Sequence, residues 1–260
     1  MAKVRIIPKL LLKTRPGTSL MTLVTTVGFD KSTEIGDAVS QAKIYEAQAA
    51  DELLFLHLDN DPTKREALLA IIRQVAEEIF MPITCGGGVR TVDDFRALLL
   101  NGADKVSINT AALENPDLIE KAASTYGSQC VVISIDYRRD ASGCARVFTK
   151  NGKHATGLSA KAWAIEAEKR GAGELLMTSI DRDGSRSGLD VSLLADISEV
   201  VSIPVIGSGG CGTAQHFVDG FKGSGVAAIS AGTFFCFKDQ NPMQTRARIL
   251  NAGIPIRMAI

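Results

Sequence analysis

The chain has 260 residues, which is long for an average domain but suits one large α/β barrel. Its 29 lysines and arginines balance 29 aspartates and glutamates, so no overall charge would attract nucleic acid or an anionic membrane. No apolar run reaches the roughly 18 to 20 residues that cross a bilayer, and no secretion leader is evident, so we expect a cytoplasmic protein with a small-molecule partner.

Eight short apolar segments are predicted to be strands, and each is followed by an amphipathic segment such as Lys64–Ile79 that is predicted to be a helix. In chain order the strands are Val4–Leu12, Leu53–Leu58, Pro82–Thr84, Lys105–Ile108, Val131–Asp136, Leu175–Ser179, Pro204–Ser208 and Val226–Ile229. The segment Thr14–Ile35 is interpreted as a long first loop. Alternation with helices implies parallel strands buried on both faces. This pattern alone allows either a closed barrel or an open, doubly wound sheet.

An internal repeat favours the barrel, because a four-strand βα unit that occurs twice closes naturally on itself. Asp51–Leu54 matches Gly173–Leu176 at an offset of 122 residues, and Pro82–Gly88 matches Pro204–Gly210 at the same offset. We therefore predict a single (β/α)8 TIM barrel over residues 1–260, with a two-fold repeat of half-barrels at about 1–125 and 126–260.

The five cysteines are odd in number, widely spaced and without a CxxC pair. They are Cys85, Cys130, Cys144, Cys211 and Cys236. We expect reduced thiols, no metal site and no other cofactor.

Glycine pairs follow two strands at related places in the repeat: Gly87 with Gly88, and Gly209 with Gly210. Glycines let backbone N–H groups approach an anion closely, and the helix that follows each pair would add partial positive charge. A tight βα turn is the alternative interpretation of either pair taken alone. Because the pairs are symmetry-related and the strand ends form the active face of such barrels, we expect two phosphate sites.

Neighbouring donors complete each predicted site. Asn109 and Thr110, after the fourth strand, belong to the first phosphate site with Gly87 and Gly88. The second phosphate site consists of Ser208, Gly209, Gly210, Gly232 and Thr233. Two phosphate sites across one mouth imply a substrate with two phosphates.

Three long segments carry a family resemblance: Gly102–Ala112, Leu176–Gly184 and Pro204–Gly210. Through them the chain resembles HisF, the cyclase subunit of imidazole glycerol phosphate synthase, over nearly its whole length. The resemblance implies a barrel that pairs with a HisH-like glutaminase and conducts its ammonia to the active face. There ammonia would react with a bisphosphorylated aminoimidazole carboxamide ribulosyl nucleotide, in the lyase-type step of histidine synthesis that gives imidazole glycerol phosphate and AICAR.

The resemblance assigns acid–base chemistry to two aspartates that face each other across the mouth. Asp136 ends the fifth strand and matches one of them, although it could instead only cap the next loop. The other position is Leu11, and an isobutyl group cannot exchange protons. Because such a group typically contributes about 10²–10⁴-fold in rate, the sequence argues against ordinary cyclase activity.

The first half departs from the family at other positions too. His57 stands where the family has an aspartate, Asp59 and Asp61 replace small and hydroxyl residues, and the family's first-loop lysine is not evident in Ser19–Gly28. The second half keeps the residues that the resemblance assigns to substrate binding, namely Thr178, Asp183, Gly184 and Ser208–Gly210.

Four charged residues map to a ring that gates the lower end of the barrel in this family: Arg5, Glu52, Lys105 and Glu174. They alternate in sign, so each carboxylate can pair with a cation. Glu52 and Glu174 are also repeat mates, so an inherited structural ion-pair ring is the alternative. Asp104, next to the ring, is expected to contact the glutaminase.

Several functional hypotheses follow. The favoured one is a divergent HisF paralogue of the kind found in bacterial surface-polysaccharide clusters, where the barrel works with a glutaminase and a separate amidotransferase to form an acetamidino group on a sugar. Lys9–Lys13, without an aspartate, resembles the signature of those paralogues. The alternative is a working cyclase that uses Asp136 and a substitute such as His57. The ligand would be a bisphosphorylated or sugar-nucleotide small molecule. A barrel isomerase or other phosphate-binding enzyme is disfavoured by the glutaminase-contact residues.

Overall fold

A computed structural model describes residues 3–59, 61–237 and 240–257 of the chain. Its eight barrel strands are β1 (Arg5–Thr14), β4 (Leu53–His57), β5 (Ile83–Gly86), β6 (Lys105–Ile108), β7 (Val131–Arg139), β10 (Glu174–Ser179), β11 (Val205–Ser208) and β12 (Ala228–Ala231). Neighbours pair in parallel in the order β10-β11-β12-β1-β4-β5-β6-β7, and the pairing of β7 with β10 closes the barrel. The predicted (β/α)8 barrel is confirmed, and the open sheet is excluded.

The predicted strand bounds differ from the observed ones by up to three residues. The differences at β1 and β7 have a common cause, since both strands run beyond the barrel and pair with antiparallel hairpins. These hairpins are β2 (Met21–Val27) with β3 (Lys31–Gly36), and β8 (Ala145–Thr149) with β9 (His154–Ser159). The interpretation of Thr14–Ile35 as a loop was therefore wrong, because most of that segment is the β2–β3 hairpin.

Helices pack around the outside of the barrel. They are α1 (Ala38–Ala47), α2 (Arg65–Glu78), α3 (Val92–Leu100), α4 (Thr110–Glu114), α5 (Asp117–Tyr126), α6 (Ala160–Lys169), α7 (Val191–Ser198), α8 (Ala214–Ser224), α9 (Thr233–Cys236) and α10 (Pro242–Asn251). Short 3₁₀ turns span Pro62–Lys64 and Ser128–Cys130. The expectation of one helix per strand was wrong for β6 and β12, which are each followed by two helices. No helix in the described residues is long and apolar enough to span a membrane.

The main hydrophobic core lies between the strands and the helices. It contains the large buried side chains Tyr45, Phe95, Phe217 and Phe234. Successive residues of a strand point to opposite faces, so the other face of each strand lines the inside of the barrel. The predicted site residues lie on that inner face and on the loops at its two ends.

Candidate active site at the barrel mouth and the charged ring below it

The four predicted ring residues meet inside the lower end of the barrel, where the strands begin. Arg5 donates hydrogen bonds to Glu52 Oε2, at 2.8 Å, and to Glu174. Lys105 Nζ lies 3.0 Å from Glu52 Oε2 and 2.8 Å from Glu174 Oε2. The Thr84 hydroxyl donates to Glu52 Oε1 at 2.5 Å. Burial opposes the charge of Arg5, but Glu174 and Glu52 outweigh it and raise the pKa of its guanidinium. Each carboxylate is thus shared by two cations.

Two further layers of inward-facing side chains lie above this ring, towards the mouth. The apolar layer is formed by Ile7, Leu54, Val132, Leu176, Ile206 and Ala228. Most of the next inward positions are polar, and we call Lys9, Ser107, Ser134, Thr178, Ser208 and Ser230 the polar layer, whereas Leu56, two residues beyond Leu54, is apolar. From the lower end to the mouth, the inside of the barrel is therefore lined first by the charged ring, then by the apolar layer and then mainly by hydroxyl groups.

Lys9 is the charged member of the polar layer, and the sequence motifs did not single it out. Its side chain is 5% exposed, and Nζ lies 3.1 Å from Ser208 Oγ and 3.7 Å from Asp183 Oδ1. A lysine between Pro8 and Leu10, two residues from Ile7 and from Leu11, was the available signal, because that spacing places it on the inner face. The barrel mouth thus contains a buried ammonium group of its own.

Asp136 lies at the mouth end of β7, where the sequence predicted an acid–base group. Asn109 Nδ2 donates a hydrogen bond to its Oδ2 at 2.7 Å. Burial raises the pKa of Asp136 to about 7, and Lys9 and Asn109 oppose that rise. A carboxyl with this pKa can take up or release a proton near neutral pH, as general acid–base catalysis requires.

Leu11 occupies the corresponding position on β1. It is 6% exposed, pairs in register with Leu56 and lines two cavities at the mouth. His57 lines the larger cavity, where burial lowers its pKa although Asp59, 3.4 Å away, favours the charged form. The His57 imidazole is therefore neutral at pH 7. Asp59 also accepts a hydrogen bond from the backbone N–H of Thr14 at 2.6 Å, which anchors the end of β1.

The larger cavity, of about 550 Å³, is lined by the residues of the predicted first phosphate site. Its four predicted residues Gly87, Gly88, Asn109 and Thr110 all line this cavity. Gly87 has φ +107°, and a Cβ there would come within 2.2 Å of the His57 carbonyl oxygen, so no other residue fits. The structure therefore brings the predicted first-site residues together around an open space.

The N-terminus of α3, expected to support this site, is capped by its own residues. Thr91 Oγ1 accepts a hydrogen bond from the N–H of Asp94, and Asp94 accepts from the N–H groups of Thr91 and Arg90. Arg65 then joins Asp94 to the carbonyl oxygen of Gly88. The start of α3 thus holds the glycine loop in place. Because its N–H groups already have partners, an anion at this site would have to be bound by the glycine loop itself.

The predicted second phosphate site is nearly closed. Gly209, Gly210, Gly232 and Thr233 line a cavity of about 20 Å³, and Ser208 is hydrogen-bonded to Lys9. A cavity needs roughly 10–15 Å³ to hold one water molecule, so this space suits a single water.

The β2–β3 hairpin covers the second site. Thr26 Oγ1 donates to Asp183 Oδ2 at 2.6 Å, and the N–H of Gly28 donates to the Asp183 carbonyl oxygen at 3.0 Å. A Cβ on Gly184 would come within 2.5 Å of the Thr26 carbonyl oxygen, so the hairpin packs directly on this loop. Thr178, by contrast, lines the larger cavity.

Asp104 lies exposed beside the lower ring and accepts a hydrogen bond from the N–H of Ile83 at 2.8 Å.

All five cysteines are free thiols, and burial raises the pKa of Cys85 and of Cys211 to about 12. Among the described residues, no group of three or more His, Cys, Asp or Glu side chains is placed to hold a metal ion.

Comparison with known proteins gives two findings. Residues 5–241 match the protein family described as Histidine biosynthesis protein. The chain is also 47% identical over 260 residues, 99% of each chain, to a protein of Prochlorococcus marinus (strain MIT 9313). The provisional name of that relative is imidazole glycerol phosphate synthase subunit hisF2.

Proposed function

The chain belongs to the histidine biosynthesis protein family, as a HisF-like member, and we propose that it conducts ammonia from a glutaminase subunit towards the amidation of a sugar. In this proposal it does not cyclise a nucleotide. The observation that carries it is the contrast between a fully paired charged ring at the lower end and a mouth where Leu11 stands in place of the second acid–base group.

The inner layers support passage of neutral ammonia. The apolar layer disfavours ammonium and other ions, because a charge without partners is costly in hydrocarbon. Ammonia itself is uncharged and small enough to pass between side chains. In the ring, the side chain of Lys105 is 21% exposed against 3% for Glu52, so Lys105 is the member that we propose moves to open the path.

The mouth supports a role other than cyclisation. Closure of the new imidazole ring requires protons to be taken up and released on both sides of the substrate. Asp136, with its pKa near 7, supplies one such group. Leu11 supplies none, and loss of a general acid or base typically costs about 10²–10⁴-fold in rate. Ammonia that reaches this mouth is thus available to a separate amidotransferase.

A working cyclase in histidine synthesis is the second candidate. The name of the Prochlorococcus relative favours it, since that name refers to the synthase. The neutral imidazole of His57 also favours it, because His57 lines the same cavity as Asp136 and can accept a proton there.

A cyclase assay separates the two candidates. The purified barrel is mixed with the bisphosphorylated aminoimidazole nucleotide and saturating ammonium, and loss of substrate absorbance is followed. We expect no turnover above background, and a rate near that of ordinary cyclases would refute the proposal. Leu11→Asp tests whether the mouth still holds that substrate. A large gain in rate would show that only the acid is missing.

Ammonia conduction is tested with the glutaminase and acceptor enzyme of the same organism. We expect Lys105→Ala to change the glutamine-dependent amidation rate and to leave the ammonium-dependent rate unchanged. Lys43→Ala is the matched control, because Lys43 pairs with Glu78 on the outer surface, where their side chains are 55% and 47% exposed. Equal rates for Lys105→Ala and the control would count against conduction.

A further inference from the structure

The two phosphate sites differ in the space that they offer. The first site opens into about 550 Å³, and the second into about 20 Å³. A phosphate group has five heavy atoms and needs several times the room of one water, so it fits only the first site. Since Thr26 holds the β2–β3 hairpin to Asp183, the second site does not widen unless that hairpin moves.

The two sites also differ in charge. At the second site Lys9 lies beside Asp183, so the cation is already balanced by a carboxylate. A phosphate placed there would displace this pair and face the Asp183 charge in a space of low dielectric, which is unfavourable.

The first site has an excess of cations along one wall. Lys150 and Lys153, at the tip of the β8–β9 hairpin, both line the cavity. Glu114 is the carboxylate on that wall, and it lies 3.9 Å from Lys150 where both side chains are more than half exposed. The N–H of Lys150 also bonds Thr110 Oγ1 at 3.1 Å, which fixes this basic tip over the first site.

The larger cavity also has an uncharged part of its lining. Leu11, Leu56 and Phe29 supply apolar surface, and Ser107 and Thr178 supply hydroxyl groups. Such a surface suits a sugar ring that carries a small apolar substituent. Lys9, which also lines this cavity, is already paired with Asp183, so it does not call for a second dianion.

From these differences we propose that the mouth binds a phosphorylated sugar with its phosphate at one end only. The phosphate lies at the first site, and the Lys9–Asp183 ion pair of the chain itself fills the second. This inference rests on the proposed function, for which it names the class of ligand. It also replaces the expectation, drawn from the two glycine pairs, that the ligand carries two separated phosphates.

The test compares ribose 5-phosphate with ribulose 1,5-bisphosphate by isothermal titration calorimetry on the purified barrel at physiological salt. We expect both to bind at one site, with affinities within about threefold, because distant charges are largely screened at that ionic strength. A bisphosphate that binds more than about tenfold tighter than the monophosphate would overturn the proposal.

Paired variants locate the phosphate. The double variant Lys150→Ala/Lys153→Ala removes both lysines and should weaken binding of the monophosphate about tenfold or more. Hydrogen bonds between charged groups are stronger than those between neutral groups. Thr233→Ala, at the second site, should leave both affinities unchanged. The opposite pattern, or no binding of the monophosphate at millimolar concentration, would refute the inference. The titration involves neither glutaminase nor ammonia, so its result is independent of the conduction test.

Discussion

The charged ring makes a quantitative prediction about stability. Arg5→Met removes the guanidinium that joins Glu52 to Glu174 while keeping a side chain of similar length. The Arg5 side chain is 11% exposed, and the two carboxylates are 3% and 5% exposed. Removal of one partner from a buried pair typically costs about 3–5 kcal/mol, because the remaining charge is left uncompensated. We expect Arg5→Met to lower the free energy of unfolding by an amount in this range, because of the ring's two cations Lys105 alone would then be left to pair with both carboxylates.

The assay is equilibrium unfolding in urea at pH 7, with the free energy extrapolated to water. Lys43→Met is the control, because its partner Glu78 is on the surface and such pairs contribute about 0–1 kcal/mol. A double variant, Arg5→Met/Glu52→Gln, completes a mutant cycle. Because the carboxylate that Arg5 stabilises is then absent, we expect the double variant to lose less than the sum of the single losses, by roughly 1–3 kcal/mol.

Two results would refute this reasoning. A loss below about 1 kcal/mol for Arg5→Met would mean that the carboxylates are solvated in the folded protein. Additive losses in the cycle would mean that Arg5 and Glu52 do not interact. In either case the ring would not be the paired network that the distances describe.

Further predictions concern single sites. Because its pKa is raised to about 7, Asp136 keeps a proton in the folded state that the unfolded chain has lost, so the free energy of unfolding should fall as pH rises from about 4 to 7. Asp136→Asn should flatten that part of the profile, and an unchanged profile in urea titrations would contradict this pKa. Gly87→Ala should destabilise the protein by about 3 kcal/mol or more, because its Cβ would lie 2.2 Å from the His57 carbonyl oxygen; a thermal melt matching wild type would disprove the close approach. In the native protein Cys144 should react first with a thiol reagent, and Cys85 and Cys211 only after unfolding; early labelling of either buried thiol would show local opening.

The barrel was predictable from sequence because it depends on repeated local signals. Each apolar run and each helical pattern is short, and the offset of 122 residues links distant parts such as Pro82–Gly88 and Pro204–Gly210. The hairpins were less predictable. Met21–Val27 is rich in the β-branched residues that favour a strand. Its partner, however, is the part of β1 that extends beyond the barrel, and the local sequence pattern does not indicate where β1 ends.

The sequence predicted where the site lies, but it did not predict that one of the two phosphate sites would be closed. Asp136, Asn109 and Thr110 follow from their places at strand ends, and they do line one cavity. The closure of the second site did not follow, because it depends on contacts across 157 residues between Thr26 and Asp183. Likewise, the inward position of Lys9 could be derived from the strand period, but its bond to Ser208 depends on how the barrel closes.

The apolar layer has a consequence for how such a protein changes over evolutionary time. It separates the ring from the mouth by a full tier of side chains, formed by six residues from six strands. Substitutions above it, such as Leu11 in place of the family's aspartate, therefore need not disturb the geometry below it. Under the proposed function, a lineage with this architecture can exchange its acceptor chemistry at one end of the barrel while the requirements for glutaminase docking and ammonia entry at the other end remain under unchanged selection.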